Sequence, residues 1–339
     1  MDRSLILKRT AAWTLLFALT ASAVLPASAL FRSRKSTSRQ QPIAEKAASP
    51  NCGPILREQE LYTYRDIALT GRLEASDPDG EPLTFQLTAN PVRGSVRLSE
   101  EEPGVFVYTP YERKTGRDSF TVVAKDPAGN VSSEARIRIQ IRKPDTPVLY
   151  ADMWGHPAHK AAIRLAERRL YVGENLGGSY FFSPDRTVSR ARFLTMAVSA
   201  AEPGQLSGSC LTGFHDDASI PAWAKPSVAA ALRWGVVRGS RDQFGAPVFS
   251  PNQAVSCGEA AAMLDRLLCV PDAPAEVFSP NSRGHWASQA AANLSASGIL
   301  SRSADSAALS APLTMADAAI LLDGALDSID RNGCLTIGR

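Results

Sequence analysis

A serine followed by an arginine marks one recurring motif of this sequence, and that pair has the chemistry of an anion site. Residues 182–192 read FSPDRTVSRAR and residues 249–259 read FSPNQAVSCGE, so Cys257 takes the position of Arg190 in the second copy. A planar guanidinium matches a carboxylate with two charge-assisted hydrogen bonds. Arg190, with Ser189 beside it, is therefore the residue of this motif that could bind an anion, and the second copy has no cation at that position.

Three tryptophans and one aspartate have side chains suited to binding sugars. Trp154, Trp223 and Trp286 each lie near the start of a predicted helix, where an indole face could stack on a sugar ring or pack against the protein. Asp152 lies ahead of the first of these helices, where a carboxylate caps free amides and complements the helix dipole. We expect Trp154 or Asp152 to complete a groove around Arg190, with packing and capping as their alternative roles.

Signatures of catalysis and of transition-metal binding are missing from the sequence. It contains no G-x-S-x-G elbow, no H-E-x-x-H helix motif and no C-x-x-C pair. His156 and His159 are spaced i, i+3, but no third ligand lies at a suitable spacing. The sequence therefore predicts a protein that is not an enzyme and needs no cofactor.

Length and charge narrow the class of protein further. A chain of 339 residues has room for two or three domains. The net charge is only +3, and no dense block of lysine and arginine occurs beyond the N-terminal segment, so nucleic acid is not a predicted partner. No motif indicates a small-molecule substrate.

The N-terminal residues have the pattern of an export signal. Residues 1–29 combine basic residues, an apolar run and a small-residue Ala-x-Ala site, so we expect cleavage after Ala29. An uncleaved membrane anchor is the alternative. Residues 30–54 are polar and without apolar periodicity, which predicts a flexible linker.

The chain has five cysteines, and export would permit disulfides between them. The four in the C-terminal half allow three pairings that the sequence does not separate. For Cys257 we consider two alternatives: a disulfide that ties its helix to a neighbour, and a small buried side chain. The five are Cys52, Cys210, Cys257, Cys269 and Cys334.

Residues 55–143 carry the pattern of a β-sandwich. Short runs alternate apolar and polar residues, as in Arg136 to Ile141, which puts three isoleucines on one face of a strand. Turn sequences such as DPDG at 77–80 separate the runs. The predicted fold is an all-β sandwich of two sheets.

The same turns and strands resemble the immunoglobulin-like or cadherin-like domains of bacterial surface proteins. The resemblance covers nearly the whole module and implies a spacer or binding domain. In that family the acidic turn sometimes binds calcium, and Asp77 and Asp79 are the matching carboxylates. A plain turn is the alternative, because Asp-Pro-Asp-Gly is a good turn sequence without a metal.

Beyond Pro144 the sequence repeats three times. Ala158, Ala224 and Ala287 hold the same position in the three units, and apolar residues follow each alanine at helical spacing. A loop and a second predicted helix complete each unit. We place the units at about 148–201, 212–269 and 276–327.

The second helix of each unit has a predicted N-cap. Ser189, Ser256 and Thr314 sit where a hydroxyl would accept from the first free amides. Glu259 and Asp317, three residues later in the second and third units, suit a capping box, whereas the first unit has Arg192 there.

Taken together, the aromatic-x-Asp starts, the Trp-Ala helix entries and the FSPDRTVSRAR-type loops resemble the S-layer homology repeat. Three copies make one domain in that family, here residues 144–339. The resemblance implies an all-α, pseudo-threefold trefoil of helix-loop-helix repeats around a central three-helix bundle. It also implies grooves between repeats that bind secondary cell-wall polysaccharide carrying pyruvate ketals, lined by a threonine-arginine-alanine-glutamate motif.

At the three motif positions only Arg190 keeps the family's arginine, because Cys257 and Met315 replace it. The expected protein is multidomain, exported and non-enzymatic, and is anchored non-covalently to bacterial cell-wall glycan at the cell surface. The alternative is a degenerate trefoil that binds surface proteins as an assembly scaffold, with the sandwich as the adhesive module.

Overall fold

The computed structural model describes residues 51–201, 211–274, 284–300 and 306–332. The expected signal peptide (1–29), most of the expected linker (30–54), Cys210 and Cys334 lie outside the described residues. The described strands and helices belong to one compact unit, which contains a β-sandwich followed by a helical part.

Two antiparallel-rich sheets form the sandwich, as the alternation predicts. One sheet has the order β2-β9-β8-β5 and the other the order β3-β7-β6, and β2 runs parallel to β9. The strands are β1 Ile55–Leu56, β2 Gln59–Tyr64, β3 Leu69–Arg72, β4 Ala75–Ser76, β5 Thr84–Ala89, β6 Gly94–Leu98, β7 Val105–Pro110, β8 Gly116–Lys125 and β9 Ala135–Arg142.

Strand β9 explains how the two sheets enclose a core. Ile137, Ile139 and Ile141 are fully buried, whereas Arg136 and Arg138 point outward from the same strand. The isoleucines pack with Phe106 and Phe120, and other members of this core are Leu69, Leu73, Tyr108 and Val122. The predicted period of two is confirmed, and it leaves a row of arginines on the outer face of the sheet.

The C-terminal part is helical and carries two short hairpins. The helices are α1 His159–Glu167, α2 Arg190–Ala201, α3 Lys225–Arg233, α4 Cys257–Leu268, α5 Ser288–Ala296, α6 Ser306–Ser310 and α7 Met315–Asn332. The hairpins pair β10 Glu174–Leu176 with β11 Ser179–Phe181, and β12 Ser240–Arg241 with β13 Pro247–Val248. Within the described ranges, no helix is both long and apolar enough to traverse a bilayer.

The three predicted units have matching local structure. Ala158, Ala224 and Ala287 are the N-cap residues of α1, α3 and α5, and all three are buried. The predicted N-caps are confirmed: Ser256 makes a complete capping box with Glu259, and the Thr314 hydroxyl accepts from the amide of Asp317 at 3.1 Å. In the first unit the corresponding bond, from Arg192 N to Ser189 Oγ, is longer at 3.4 Å.

A closed ring of backbone hydrogen bonds joins the loops that precede α2, α4 and α7. The amide of Val188 donates to the carbonyl of Leu313 at 2.9 Å, Leu313 donates to Val255 at 2.8 Å, and Val255 donates to Val188 at 2.9 Å. Each of these residues stands two positions before its helix, and all three are buried. The three units are therefore connected cyclically around one centre.

The sandwich packs directly on this helical part. Tyr64 belongs to the helical core, and its hydroxyl donates to Glu167 in α1. The ring of Tyr62 lies 4.1 Å from both Lys160 Nζ and Arg142 Cζ. Next to it, buried Arg164 binds three carboxylates of α7, those of Asp323, Asp327 and Asp330, at 2.5 to 2.8 Å.

Candidate functional site

Arg190, the predicted anion binder, lies at the first position of α2 and is buried at 9% exposure. Its Nη1 donates to Glu259 Oε1 at 2.8 Å, and its Nε donates to the carbonyl of Phe249 at 2.9 Å. Both partners belong to the second unit. The single motif arginine therefore already has a carboxylate partner within the protein, and the pair joins the first unit to the second.

A cavity of about 350 Å³ opens beside this ion pair. Its charged lining consists of Arg190, Arg238, Arg266 and Glu259, so positive charge is in excess. Trp286 supplies an aromatic side chain that is 63% exposed. The cavity takes residues from all three units, because Arg190 comes from the first, Glu259 from the second and Trp286 from the third.

Two arginines of this cavity differ in how they are held. The Nη1 of Arg266 donates to the carbonyl of Val236 at 3.1 Å, which fixes its guanidinium along the wall. Arg238 is exposed, and among the described residues it forms no ion pair. The polar side chains of Gln253 and Ser240 lie in the same lining. This combination of exposed cation, indole and polar side chains can hold an anionic group attached to a hydroxyl-rich ring.

The structure does not bring the other predicted groove residues to this cavity. Neither Ser189, Asp152, Trp154 nor Trp223 lines it. Trp154 is 78% exposed elsewhere in the first unit. The groove expected around Arg190 with Trp154 and Asp152 is therefore replaced by one in which Trp286 is the aromatic residue.

Asp152 has a structural task instead. Its carboxylate accepts from the amides of residues 182 and 183 at 2.9 and 2.7 Å. Ser183 has a φ of 57°, in the left-handed region that is costly for a residue with a Cβ. Asp216 makes the same two bonds to residues 249 and 250, and Ser250 has a φ of 58°. The capping role considered for Asp152 therefore takes another form. Like Asp216, Asp152 accepts hydrogen bonds from the amides of a loop that contains a serine with positive φ.

A second pairing of cation and aromatic rings involves Arg192. Its guanidinium carbon lies 5.3 Å from the ring centre of Trp223 and 5.5 Å from that of Tyr171. Arg192 holds the position that Glu259 holds in the next unit, and Trp223 corresponds to Trp286. Arg192 therefore lies over the tryptophan of the following unit, whereas Glu259 and Trp286 line one cavity.

Sequence reasoning missed Arg238, Arg266 and the contact of Arg192. Arg238 follows Val237, the residue that ends the apolar stripe of its unit, so its exposure at the end of that stripe could have been predicted. Its place in one cavity with Trp286 could not, because that cavity depends on how the second and third units pack.

The acidic turn of the sandwich forms a compact hydrogen-bonded structure. Asp77 Oδ1 accepts from the amide of Asp79 at 2.8 Å, and Asp79 Oδ2 accepts from the amide of Cys52 at 2.6 Å. The bond between Asp77 and Asp79 is local and typical of a turn, whereas the bond to Cys52 joins the turn to the start of the sandwich. Across the ranges that the structure describes, no three His, Cys, Asp or Glu side chains gather in a way that could hold a metal ion.

Cys257 has a free thiol and forms no disulfide among the described residues; two of its possible partners, Cys210 and Cys334, lie outside them. Its side chain is half-buried against the helical core. Burial, with a smaller contribution from Asp317, raises the pKa of the thiol above its ordinary value. This agrees with the other alternative, in which Cys257 is a small packed side chain where the first unit has Arg190.

Comparison with known families identifies the sandwich. Residues 51–140 match the family model described as Bacterial Ig domain, which agrees with the predicted module at 55–143. No curated protein matches the chain.

Solved structures similar to this chain cover about a quarter to a third of it. They include the endo-fucoidan hydrolase MfFcnA4 of glycoside hydrolase family 107, with 22% identity over 28% of this chain and 14% of that one, at a TM-score of 0.23. The SrpA adhesin from Streptococcus sanguinis has 19% identity over 31% of this chain and 63% of its own, at a TM-score of 0.24. The D00-D0 domain of intimin has 18% identity over 26% and 46%, at a TM-score of 0.21. The chain thus spans less than two thirds of each of these proteins.

Proposed function

We propose that this chain is an exported, non-enzymatic bacterial surface protein whose helical units hold it non-covalently on an acidic cell-wall glycan. The observation that carries the proposal is the cavity where Arg238, Arg266 and Trp286 converge beside the Arg190–Glu259 pair. The sandwich serves as a spacer or adhesive module.

The finer architecture that we propose is the S-layer homology trefoil. Three buried alanines at equivalent helix starts, the cyclic hydrogen bonds between loops, and the repeated aspartate bonds to the FSP loops support it. Each feature recurs at matching positions of the repeated sequence. Grooves between such units are a natural place for a ligand, because residues from different units converge there.

The chemistry of the cavity selects the class of glycan. An anionic substituent, such as the carboxylate of a pyruvate ketal, would accept hydrogen bonds from exposed Arg238, while a sugar face would lie on Trp286. Arg190 lines the cavity but is not the principal ligand in this proposal, because its charge is already neutralised by Glu259. This assignment moves the centre of the proposed site from Arg190 to Arg238.

A scaffold without glycan binding is the second candidate. The residues at the three motif positions favour it. Arg190 is already paired with Glu259, and Cys257 and Met315 stand at the other two positions. Under this proposal the repeats would be retained for packing alone.

Cosedimentation of the full chain with purified bacterial cell walls tests both candidates. The glycan proposal expects sedimentation that disappears when acid removes the secondary polymer. It also expects the Arg238→Gln variant to bind about 10- to 100-fold more weakly, the worth of one hydrogen bond to a charged group. Arg233→Gln is the matched control, since Arg233 is exposed at the end of α3 but outside the cavity lining.

The outcomes separate the candidates. Loss of binding in Arg238→Gln with normal binding in Arg233→Gln and unchanged melting temperatures would support the glycan site. Absence of sedimentation with either wall preparation would favour the scaffold and direct the search to protein partners.

A further inference from the structure

A second arginine-rich surface lies on the sandwich, away from the cavity proposed above. A cavity of about 790 Å³ on the outer face of the β2-β9-β8 sheet is lined by five arginines and two carboxylates. The arginines are Arg93, Arg117, Arg136, Arg138 and Arg142, and the carboxylates are those of Glu60 and Asp118.

The strand register explains why these arginines gather. Arg136 and Arg138 alternate outward along β9, and Arg117 on the neighbouring β8 lies opposite Gln140. Outward side chains on one strand are about 7 Å apart, and residues 136–142 extend over about 20 Å. The arginines therefore form an extended row across two strands.

Of the two lining carboxylates, Glu60 lies opposite Arg138 on β2 and offsets one of the five positive charges, whereas Asp118 does not neutralise the row. Asp118 is buried, and it accepts hydrogen bonds from the amides of Val92, Arg93 and Ser119 and from the hydroxyl of Tyr108. Burial alone would raise the pKa of Asp118, but these hydrogen bonds lower it below the ordinary value. The negative charge of Asp118 is therefore stabilised by hydrogen bonds within the sandwich. Arg138 pairs with Glu58 at 2.8 Å, but within the described chain Arg117 and Arg136 form no ion pair.

We propose that this arginine row binds a linear polysaccharide that carries anionic groups. The length of the row suits a chain of several linked sugars, and unpaired Arg117 and Arg136 supply charge for its anionic groups. Gln140 and Ser119, between the arginines, can bond to sugar hydroxyls. This site is separate from the helical cavity and does not depend on it.

The composition of the face argues against other polyanions. Val92 is the one large apolar residue of the lining that is strongly exposed, so the surface lacks the apolar anchors of a typical protein interface. Stacking of nucleic-acid bases needs open aromatic rings. Tyr62, the aromatic residue of the lining, has Arg142 and Lys160 over its ring at 4.1 Å.

Binding of the full chain to alginate, a polymer of uronic acids, tests the proposal, with neutral dextran for comparison. We expect binding to alginate alone, and at least a tenfold loss between 50 and 300 mM NaCl because salt screens exposed charges. The double substitution Arg117→Gln, Arg136→Gln should weaken binding at least tenfold. Both side chains are exposed, so folding should be preserved, and an unchanged melting temperature would verify it.

Arg97→Gln is the matched control, because Arg97 is an exposed arginine on β6 of the opposite sheet. It should change alginate affinity less than twofold. Equal loss in the control and in the double variant would overturn the proposal, as would absence of alginate binding.

Two further probes identify the polymer class. Tighter binding to polyglutamate or to single-stranded DNA than to alginate would also overturn the proposal, in favour of an acidic protein or a nucleic acid. The Arg238→Gln variant should retain alginate binding to the sandwich, so failure of the wall-anchor proposal and failure of this one are distinguishable.

Discussion

Replacing Arg190 with methionine should destabilise the protein rather than simply remove a ligand contact. The substitution leaves Glu259 without its partner and the carbonyl of Phe249 without a donor. Breaking a buried ion pair costs about 3–5 kcal/mol. The lower end, about 3 kcal/mol, applies here because the Glu259 side chain keeps 26% exposure and still accepts from the amide of Ser256. For the compact unit of residues 50–339 that corresponds to a melting temperature about 5 °C lower.

Urea unfolding, followed by circular dichroism, measures this change. The double variant Arg190→Met, Glu259→Gln should recover about 2 kcal/mol, because a neutral glutamine does not need a cation and can still complete the capping box with Ser256. Arg192→Met is the control, since it removes an exposed cation two residues along α2 and should cost less than about 1 kcal/mol.

One result would refute this reasoning about Arg190. If Arg190→Met unfolds within about 1 kcal/mol of the original protein but loses wall binding, the pair with Glu259 contributes little to stability. Arg190 would then be a ligand-binding residue, as the sequence motif alone predicts.

Two more predictions concern the junction and the first unit. Arg164→Met should lower the free energy of unfolding by about 3–5 kcal/mol, because it removes the buried cation shared by three carboxylates of α7 and leaves Asp323 with Lys160 as its remaining ion-pair partner. Calorimetry should show a much smaller effect for Arg168→Met, whose side chain is 46% exposed. Burial and the charge of nearby His156 lower the pKa of His159 to about 4 from its ordinary 6.5. The unfolded chain therefore binds the proton more readily, and stability should fall by about 1–2 kcal/mol as the pH drops from 6.5 to 4, after allowance for partial exposure. His159→Gln should flatten that slope in melting curves, and an unchanged slope would contradict the assignment.

Local periodicity was sufficient to predict much of the fold. The alternation around Ile137 predicted a strand with one buried face, and the hydroxyl-x-x-acid spacing predicted the capping boxes at Ser256 and Thr314. Equivalent helix starts at Ala158, Ala224 and Ala287 followed from the repeats. Each of these features depends on residues within one or two helical turns or along a single strand.

The candidate sites could not be predicted in the same way, because they depend on contacts between distant segments. Arg190 and Glu259 are 69 positions apart, and their pairing follows from the packing of two units. The strand pattern of β9 predicted outward arginines, but not that Arg117 of β8 would lie beside them. A motif can therefore identify a residue without identifying its partners within the fold.

The repeats illustrate how one position can change its chemistry without changing the fold. The third residue of the second helix is Arg192 in one unit and Glu259 in the next; Arg192 lies over Trp223, whereas Glu259 lines a cavity together with Trp286. Glu259 binds the buried Arg190, so the anion here stabilises the joint between units. In the part of the chain that the structure describes, Arg192 of the first unit has no such partner and lies over the rings of Tyr171 and Trp223. These two contacts between units therefore differ in charge, and an acidic ligand would meet different surroundings at each of them.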